Sequence, residues 1–214
     1  MKSYKNIILG VLMVTLSLSS MTNLLGQHGS IEFLETYSYC EFISNLDPGD
    51  RFFQLIDTEQ SDPKSSKLGK CKAEKVSEVW KYIHNDDFLN QLPGDTRFAW
   101  GAQVEDHLAL FVLKQPGKAY EGPDQSDLND VAIQKDKLNG TFSLLISFSD
   151  QGAKDWEILT GKNVDRNIAI LIEGKVYAAP TVKEKIKHGK CVISGNFSES
   201  EVSRLKELLV IASN

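Results

Sequence analysis

The sequence predicts an α+β fold, in which helices pack on one face of an antiparallel or mixed sheet. Strand-like and helix-like segments are mixed along the chain and short hairpin turns join neighbouring strands, whereas a parallel sheet would show regular strand–helix–strand repeats. Hydrophobic residues (41%) and charged residues (25%) occur in the proportions of a globular protein. With 214 residues, the chain is long enough for one domain with a solid core or for two small ones.

The N-terminus has the pattern of a secretory signal peptide. Two lysines precede the apolar stretch Ile7–Leu18, which more polar residues follow. We place cleavage after Gly26, so that residues 1–26 are the signal peptide and Gln27 is the mature N-terminus. The alternative is an uncleaved signal anchor, which would need about 20 apolar residues to span a bilayer. Either pattern predicts an exported protein, in the periplasm or at the cell envelope.

The first half of the chain contains five predicted elements and two connecting segments. One is a helix with four apolar residues at helical spacing, which are Val76, Val79, Trp80 and Ile83. In chain order we predict a strand at Ile31–Tyr37, a second short strand at Arg51–Ile56, a mobile surface loop at Asp57–Lys72, the helix at Glu74–His84, a turn at Pro93–Asp95, and paired strands at Arg97–Trp100 and His107–Lys114.

The second half opens with a hairpin. Leu128–Lys135 and Thr141–Phe148 flank Asn139-Gly140, a dipeptide that readily takes the positive φ angles of a tight turn. Side chains alternate between the two faces of a strand, so one face of the second strand is apolar, with Phe142, Leu144, Ile146 and Phe148. This alternation fixes the register of the hairpin.

Helices and short strands follow the hairpin. Ser149 or Asp150 caps a helix at Gln151–Leu159, and an unbroken apolar run predicts a central buried strand at Ile168–Ile172. Then come a strand at Val176–Ala179 that Pro180 stops, a short strand at Cys191–Ser194, and a last helix that a capping box opens at Ser198–Glu201 and whose inner residues are Val202, Leu205, Leu208, Leu209 and Ala212.

No set of residues in the sequence predicts catalysis. The four histidines share no metal-site spacing, and the chain has neither a serine-nucleophile elbow nor a phosphate-binding loop. We therefore predict no catalytic residue, no metal and no cofactor. The net charge of −5 argues against nucleic acid as a partner, since phosphate binding needs a basic surface. The lysine-rich stretch Lys183–Lys190 offers a weak anion contact at most, and a solvated loop is the plainer interpretation.

The three cysteines match no metal-site spacing. An exported protein can join two of them in a disulfide and leave the third free. Cys40 and Cys71 are then the preferred pair, because Cys191 lies in a predicted strand. Three free thiols are the alternative that the sequence leaves open.

Three aromatic residues next to turns are the candidates for a binding surface. Trp100, Tyr177 and Phe197 lie at the ends of strands or loops, where an aromatic side chain is often half buried. Packing at the rim of the core is one interpretation. The other is the wall of a groove for an extended polypeptide, where aromatic surface beside a free strand edge gives adaptable binding.

Several segments resemble the first periplasmic domain of SecD, a membrane protein accessory to bacterial protein export. The strongest similarity covers the motifs Gly152–Thr160, Asn163-Val164, Ile168–Pro180 and Gly189–Ser198. Two further segments, Ile31–Tyr37 and Pro93–Trp100, are similar to the fused SecDF proteins of Bacteroidetes. The resemblance rests on residues that specify a fold, which are Gly152, Ala153, Gly174, Pro180 and Gly195, so it says more about architecture than about activity.

The resemblance implies a base-plus-head architecture, with a base-like region at residues 27–105 and a head-like domain at residues 106–214. It also implies a module that contacts exported polypeptides or the Sec translocon. The chain ends where SecD would continue into its membrane helices, so we expect a stand-alone, truncated paralogue without proton translocation. A divergent envelope protein with no role in export is the alternative, and the oligomeric state stays open.

Overall fold

A computed structural model describes residues 30–59, 61–118, 122–137 and 140–211. The predicted signal peptide, Asn139 and Ala212 lie outside these residues. The strands are β1 (Ile31–Glu35), β2 (Lys67–Lys72), β3 (Thr96–Trp100), β4 (His107–Lys114), β5 (Leu128–Lys135), β6 (Phe142–Phe148), β7 (Ile168–Ile172), β8 (Lys175–Ala178) and β9 (Lys190–Phe197). The α-helices are α1 (Tyr39–Ile43), α2 (Phe52–Leu55), α3 (Val76–Ile83), α4 (Asp86–Leu89), α5 (Asp150–Lys162) and α6 (Glu199–Ile211).

Within the described part of the chain, the strands form three antiparallel sheets of three strands each. The N-terminal sheet has the order β2-β4-β3, the central sheet β1-β7-β8 and the C-terminal sheet β5-β6-β9. The predicted α+β class is confirmed, with the strands divided among three sheets. Among the residues that the structure describes, no helix has both the length and the apolar character that a membrane crossing requires.

The central sheet is buried on both faces. All five residues of β7 are fully buried, which confirms the prediction of a central buried strand. Ile168, Ile170 and Ile172 face the C-terminal core, which α5, α6 and the inner face of the C-terminal sheet complete. Ala169 and Leu171 face a smaller middle core against the N-terminal sheet. The sheet therefore separates two hydrophobic cores, and this explains why the strand has no polar alternation.

The N-terminal core lies on the other face of the N-terminal sheet, beneath the four short helices. It is rich in phenylalanine: the ring of Phe42 lies 5.1 Å from that of Phe52 and 5.9 Å from that of Phe98, in edge-to-face geometry. Phe88 stacks on Phe52 at 6.0 Å. Such aromatic pairs contribute beyond the area that they bury. The layers thus run from short helices through the N-terminal sheet, the middle core and the central sheet to the C-terminal core.

The prediction of a strand at Arg51–Ile56 is wrong, because these residues form helix α2. Phe52 and Leu55 are three positions apart and both are buried in the N-terminal core, as a helix allows and a strand does not. The carboxylate of Asp50 accepts a hydrogen bond from the Phe52 N–H at 2.7 Å, which helps to start the turn.

The prediction of a surface loop at Asp57–Lys72 is wrong at its C-terminal end, where β2 pairs with β4. The register shifts between Lys67 and Gly69, and Gly69 has a φ of 150°. This bulge brings Leu68 and Cys71 to the core although they are three residues apart.

The remaining predicted elements are confirmed with shifted bounds: β1 ends at Glu35 instead of Tyr37, and α3 spans Val76–Ile83 instead of Glu74–His84. β5 and β6 form the predicted hairpin, and Ser149 caps α5 by accepting the Gly152 N–H at 3.1 Å. Ser198 caps α6 through the Glu201 N–H at 3.2 Å. β9 extends past the predicted Cys191–Ser194 because a register shift opposite Phe142 lets it continue to Phe197.

The three cysteines are free in the structure, so the preferred pair Cys40–Cys71 is not joined. Cys40 is exposed, whereas Cys71 and Cys191 are buried. Burial raises the pKa of the Cys191 thiol to about 12 and also raises the pKa of the Cys71 thiol. Both buried cysteines therefore act as small apolar side chains rather than as reactive groups.

Candidate polypeptide-binding surfaces

Trp100 is held at the end of an edge strand. β3 is the outer strand of the N-terminal sheet, and its residues alternate between the N-terminal core (Phe98 and Trp100) and the middle core (Ala99). Phe98 pairs with Val112 of β4, the middle strand of the sheet. The Val112 N–H donates to the Ser66 carbonyl on the side of β4 that faces away from β3. Phe98 and Val112 are therefore a non-hydrogen-bonded pair, and the N–H and C=O of Phe98 point to the outer edge.

A groove of about 410 Å³ runs along this outer edge. We call it the Trp groove, and its lining residues are Trp80, Arg97, Phe98, Ala99, Trp100, Gly101, Gln103, Leu108, Gly174 and Lys175. The lining comes from α3, the N-terminal sheet with the loop after β3, and the β7–β8 turn. The groove therefore lies where the central sheet meets the edge of the N-terminal sheet.

Aromatic side chains form one wall of the Trp groove. The rings of Trp80 and Trp100 are 6.2 Å apart, and the Trp80 ring lies 4.1 Å from that of His84. The sequence places Trp80 on the inner face of its helix, yet 38% of this side chain is exposed. The reason is that Val79 and Ile83 fill the core below the helix and leave Trp80 at its rim. The spacing of four residues between Trp80 and His84 indicates the contact between these two rings, but not their contact with Trp100.

The opposite wall is the tight turn between β7 and β8. Glu173 and Gly174 have φ angles of 51° and 73°, the pair of positive values that a type I′ turn requires. Beyond this turn, β8 approaches the end of β3: Gly101 and Val176 form a parallel bridge, and the Ala102 N–H donates to the Val176 carbonyl at 3.2 Å. These contacts hold the turn, and with it Lys175, beside the groove.

Tyr177 and Phe197 form a second aromatic surface. Their rings are 6.3 Å apart, and both pack half buried against the C-terminal core. The Arg204 guanidinium of α6 donates to the Tyr177 hydroxyl at 3.2 Å. The Phe197 ring lies over Gly195, where a Cβ atom would be 3.0 Å from the ring. The bulge in β9 and the absence of a side chain at Gly195 together aim Phe197 toward Tyr177.

The structure brings two of the three predicted binding residues together, and the third lies elsewhere. Tyr177 and Phe197 share one surface, whereas Trp100 lines the Trp groove with Trp80. Trp100 faces the N-terminal core and Tyr177 faces the C-terminal core, with the middle core between their strands. The three residues therefore form two separate surfaces, one on each side of the middle core.

The predicted fold-setting residues lie at close approaches and turns. A Cβ atom at Gly152 would be 2.5 Å from the Asp127 Cβ, so this glycine lets the start of α5 approach the segment before β5. Ala153 is close to Gly189, where an added Cβ would be 2.5 Å from the Ala153 Cβ. Pro180 follows β8, and its carbonyl accepts the Ile168 N–H at 3.2 Å.

Several titratable side chains form ion pairs or hydrogen bonds with one another. In residues 30–59, 61–118, 122–137 and 140–211, no three His, Cys, Asp or Glu side chains converge as metal ligands. Lys185 of the lysine-rich stretch pairs with Glu157 at 2.7 Å, and this hydrogen bond is the main reason that the pKa of Glu157 is lowered. Burial, aided by a hydrogen bond from Tyr82 to Asp50, raises the pKa of the Tyr82 hydroxyl to about 12.

Parts of the chain are similar to known proteins. The chain is 33% identical over 126 residues to the protein translocase subunit SecD of Dictyoglomus turgidum, a match that covers 58% of this chain and 31% of that protein. It is 40% identical over 83 residues to SecD of Acidaminococcus fermentans, covering 39% of this chain and 20% of that protein. The match to SecDF of Thermus thermophilus is 33% over 84 residues, covering 39% and 11%.

The chain therefore spans only a minor part of these relatives. A solved structure of SecDF, described as a membrane component that enhances protein export, superposes with a TM-score of 0.47 at 23% identity and covers 95% of this chain and 72% of that one. A family model described as "SecDF, P1 head subdomain" matches residues 121–213. The predicted resemblance to the SecD periplasmic domain is thus confirmed for its head: residues 121–213 are similar to the P1 head subdomain of SecDF.

Proposed function

We propose that this protein is a non-catalytic, extracytoplasmic binding module that contacts extended segments of exported polypeptides. The Trp groove is the observation that carries the proposal, because it places aromatic surface beside a strand edge with outward backbone groups. The similarity of residues 121–213 to the SecDF head subdomain supports a role in export, since the relatives are named protein translocase subunits. The Sec translocon is the second partner that this similarity suggests.

The finer parts of the proposal concern organisation and location. We propose that residues 1–26 direct export, that residues 27–105 and 106–214 correspond to base and head, and that the protein acts in the periplasm or at the envelope as a paralogue of the Bacteroidetes type. The sequence patterns at Ile31–Tyr37 and Pro93–Trp100 support the last point.

Site-specific photo-crosslinking tests the function. A photoreactive phenylalanine analogue replaces Trp100, Tyr177 or, as a control, the exposed Glu207 on α6, and the label is followed into a radiolabelled protein during export. We expect labelling from Trp100 or Tyr177 to exceed that from Glu207 at least fivefold. Equal labelling from all three positions would contradict polypeptide binding. Unchanged secretion kinetics after gene deletion, with co-purification of a partner outside the Sec system, would favour an unrelated envelope role.

A further inference from the structure

We infer that the Trp groove binds its polypeptide as an added β-strand, paired with the outer edge of β3, and that it prefers apolar segments carrying a carboxylate. This inference rests on the proposed function and goes beyond it, because it gives the backbone geometry and the chemical class of the bound segment. Four observations carry it: the free edge, the strand pairing already present at one end, the aromatic wall and the charge of the lining.

The outer edge of β3 has backbone groups that an incoming strand can pair with. The N–H and C=O of Phe98 point away from β4, and β3 ends the N-terminal sheet among the described residues. From Phe98 to Trp100 this edge is about 7 Å long, at about 3.3 Å per residue. An extended segment of about three residues can therefore form hydrogen bonds there, as in other cases of strand addition.

The same edge already pairs with a strand at its far end. Gly101 forms a parallel bridge with Val176 of β8, and the Ala102 N–H donates to the Val176 carbonyl. β8 begins at Lys175, after the tight turn, and so does not continue along Phe98. The edge is thus suited to strand pairing, and the Trp groove begins where the pairing with β8 ends.

The walls of the groove favour apolar side chains on the bound segment. Trp80, Trp100 and Leu108 line it together with small residues. Trp80 is 38% exposed, whereas Val79 and Ile83 of the same helix are fully buried, so the Trp80 ring is available to a partner. Side chains on one face of an added strand would contact this aromatic wall, because successive side chains point to opposite faces.

The charge of the lining favours a carboxylate. Arg97 and Lys175 line the groove, and none of its described lining residues is Asp or Glu, although the chain as a whole has a net charge of −5. Arg97 already donates to both carboxylate oxygens of Glu32, at 2.6 and 3.0 Å. Lys175 is exposed, and among the described residues that line the groove its ammonium is the cation left for a ligand. A segment with an acidic residue beside its apolar residues complements this surface.

A set of three labelled peptides tests the inference on the mature protein. The first is the capped heptapeptide Thr-Val-Thr-Phe-Glu-Val-Thr, the second carries N-methyl groups on alternate backbone nitrogens, and the third has Gln in place of Glu. We expect fluorescence anisotropy to show at least tenfold weaker binding of the N-methylated peptide, because it cannot donate its strand hydrogen bonds. We expect the Gln peptide to bind about twofold to fivefold more weakly, as for a solvent-exposed ion pair.

Protein variants locate the binding. Lys175→Glu should abolish the preference for the Glu peptide, whereas Lys154→Glu, the same charge change on the exposed face of α5, should leave it intact. Trp80→Ala should weaken all binding without unfolding the protein, since this ring lies at the surface. Equal affinity of the N-methylated peptide, or absence of binding at millimolar peptide, would overturn the inference. Crosslinking from Tyr177 during export could still succeed then, so failure here is distinguishable from failure of the proposed function.

Discussion

Single glycines show how local backbone geometry and packing contribute separately to stability. Gly174 has a φ of 73° in the β7–β8 turn, and nothing lies within 4 Å of the place a Cβ would occupy. Gly189 also has a positive φ, 54°, but there a Cβ would lie 2.5 Å from the Ala153 Cβ. Gly94 has open space and no positive φ. Substitutions at these three positions therefore distinguish the backbone strain of a positive φ from the steric overlap of an added Cβ atom.

Alanine substitutions at these glycines should destabilise the protein in a fixed order. We expect Gly174→Ala to lower the free energy of unfolding by about 1–2 kcal/mol, the cost of a left-handed conformation for a residue with a Cβ. Gly189→Ala should cost more, because overlap with Ala153 adds to the strain. Gly94→Ala is the control and should change stability by less than about 0.5 kcal/mol. Chemical denaturation measures all three, and equal effects at Gly94 and Gly174 would contradict the strain argument.

Helix α1 shows how one short element is fixed between two parts of the chain. The Glu41 carboxylate accepts the Ser38 N–H at 2.7 Å while the Ser38 hydroxyl accepts the Glu41 N–H, a reciprocal capping box. The Arg166 guanidinium donates to both carboxylate oxygens at 2.9 Å. Burial alone would raise the pKa of Glu41, but the hydrogen bonds from Ser38 and Arg166 outweigh it and lower this pKa.

The lowered pKa of Glu41 predicts a specific acid sensitivity. A group whose pKa is lower in the folded than in the unfolded state stabilises the protein above its unfolded pKa of about 4.5, and this stabilisation is lost as the pH falls through the folded pKa. Glu41→Gln should therefore be less stable than the wild type at pH 7, and the difference should shrink as the pH falls below about 4.5. Because the Glu41 and Arg166 side chains are 42% and 37% exposed, solvent screening keeps the effect modest.

Urea denaturation of both proteins between pH 3 and 7 measures this difference. Glu184→Gln, a substitution in an exposed loop, is the matched control and should show no such convergence. A gap between wild type and Glu41→Gln that is the same at every pH would show that the carboxylate charge is not the cause.

Most elements could be predicted from the sequence because their patterns are local. The hairpin β5–β6, the capped helices α5 and α6 and the apolar strand β7 all follow from neighbouring residues. Helix α2 could not, because a run of phenylalanine, leucine and isoleucine suits a strand as well as a helix. β2 was missed because its three lysines and Gly69 look like a loop, and only pairing with β4 and the bulge at Gly69 make it a strand.

The candidate site could be predicted only in part, because local patterns indicate single residues but not which of them share a surface. Aromatic residues next to turns indicated Trp100, Tyr177 and Phe197, and the structure finds all three half buried. Which of them share a surface depends on the faces that β3 and β8 present to the middle core, and this is a long-range property. Trp80 and Lys175 reach the Trp groove only through the packing of α3 and of the β7–β8 turn, so no local pattern could assign them.

At the scale of the whole molecule, Asn167 connects the N-terminal and C-terminal parts. Its side-chain oxygen accepts the Ser66 N–H at 3.1 Å, and its side-chain amide donates to the Ala179 carbonyl at 2.9 Å. Its backbone carbonyl accepts the Thr36 hydroxyl at 2.9 Å. This side chain is almost completely buried, and buried polar groups of this kind must keep their partners.

Removing the Asn167 side chain should destabilise the whole molecule. Asn167→Ala leaves the Ser66 N–H and the Ala179 carbonyl without this partner, and we expect a loss of about 2–4 kcal/mol in the free energy of unfolding. Asn129→Ala, at an exposed position of β5, is the control and should change stability by less than about 0.5 kcal/mol. Equal effects of the two substitutions in urea denaturation would show that the Asn167 hydrogen bonds are replaced by water.

The pairing of β1 with β7 has a consequence for the order in which the protein folds. A chain that is synthesised or exported from its N-terminus releases β1 first, but Ile31 finds its partner Ile172 only after most of the chain has emerged. The N-terminal core draws on residues between Phe42 and Val112, so it can assemble earlier. Until β7 is available, β1 stays unpaired and exposes the apolar side chains of Ile31, Phe33 and Leu34. The central sheet between the two cores is therefore completed only when β7 has emerged. Until then, the unfinished chain exposes an apolar N-terminal segment of the kind that chaperones bind.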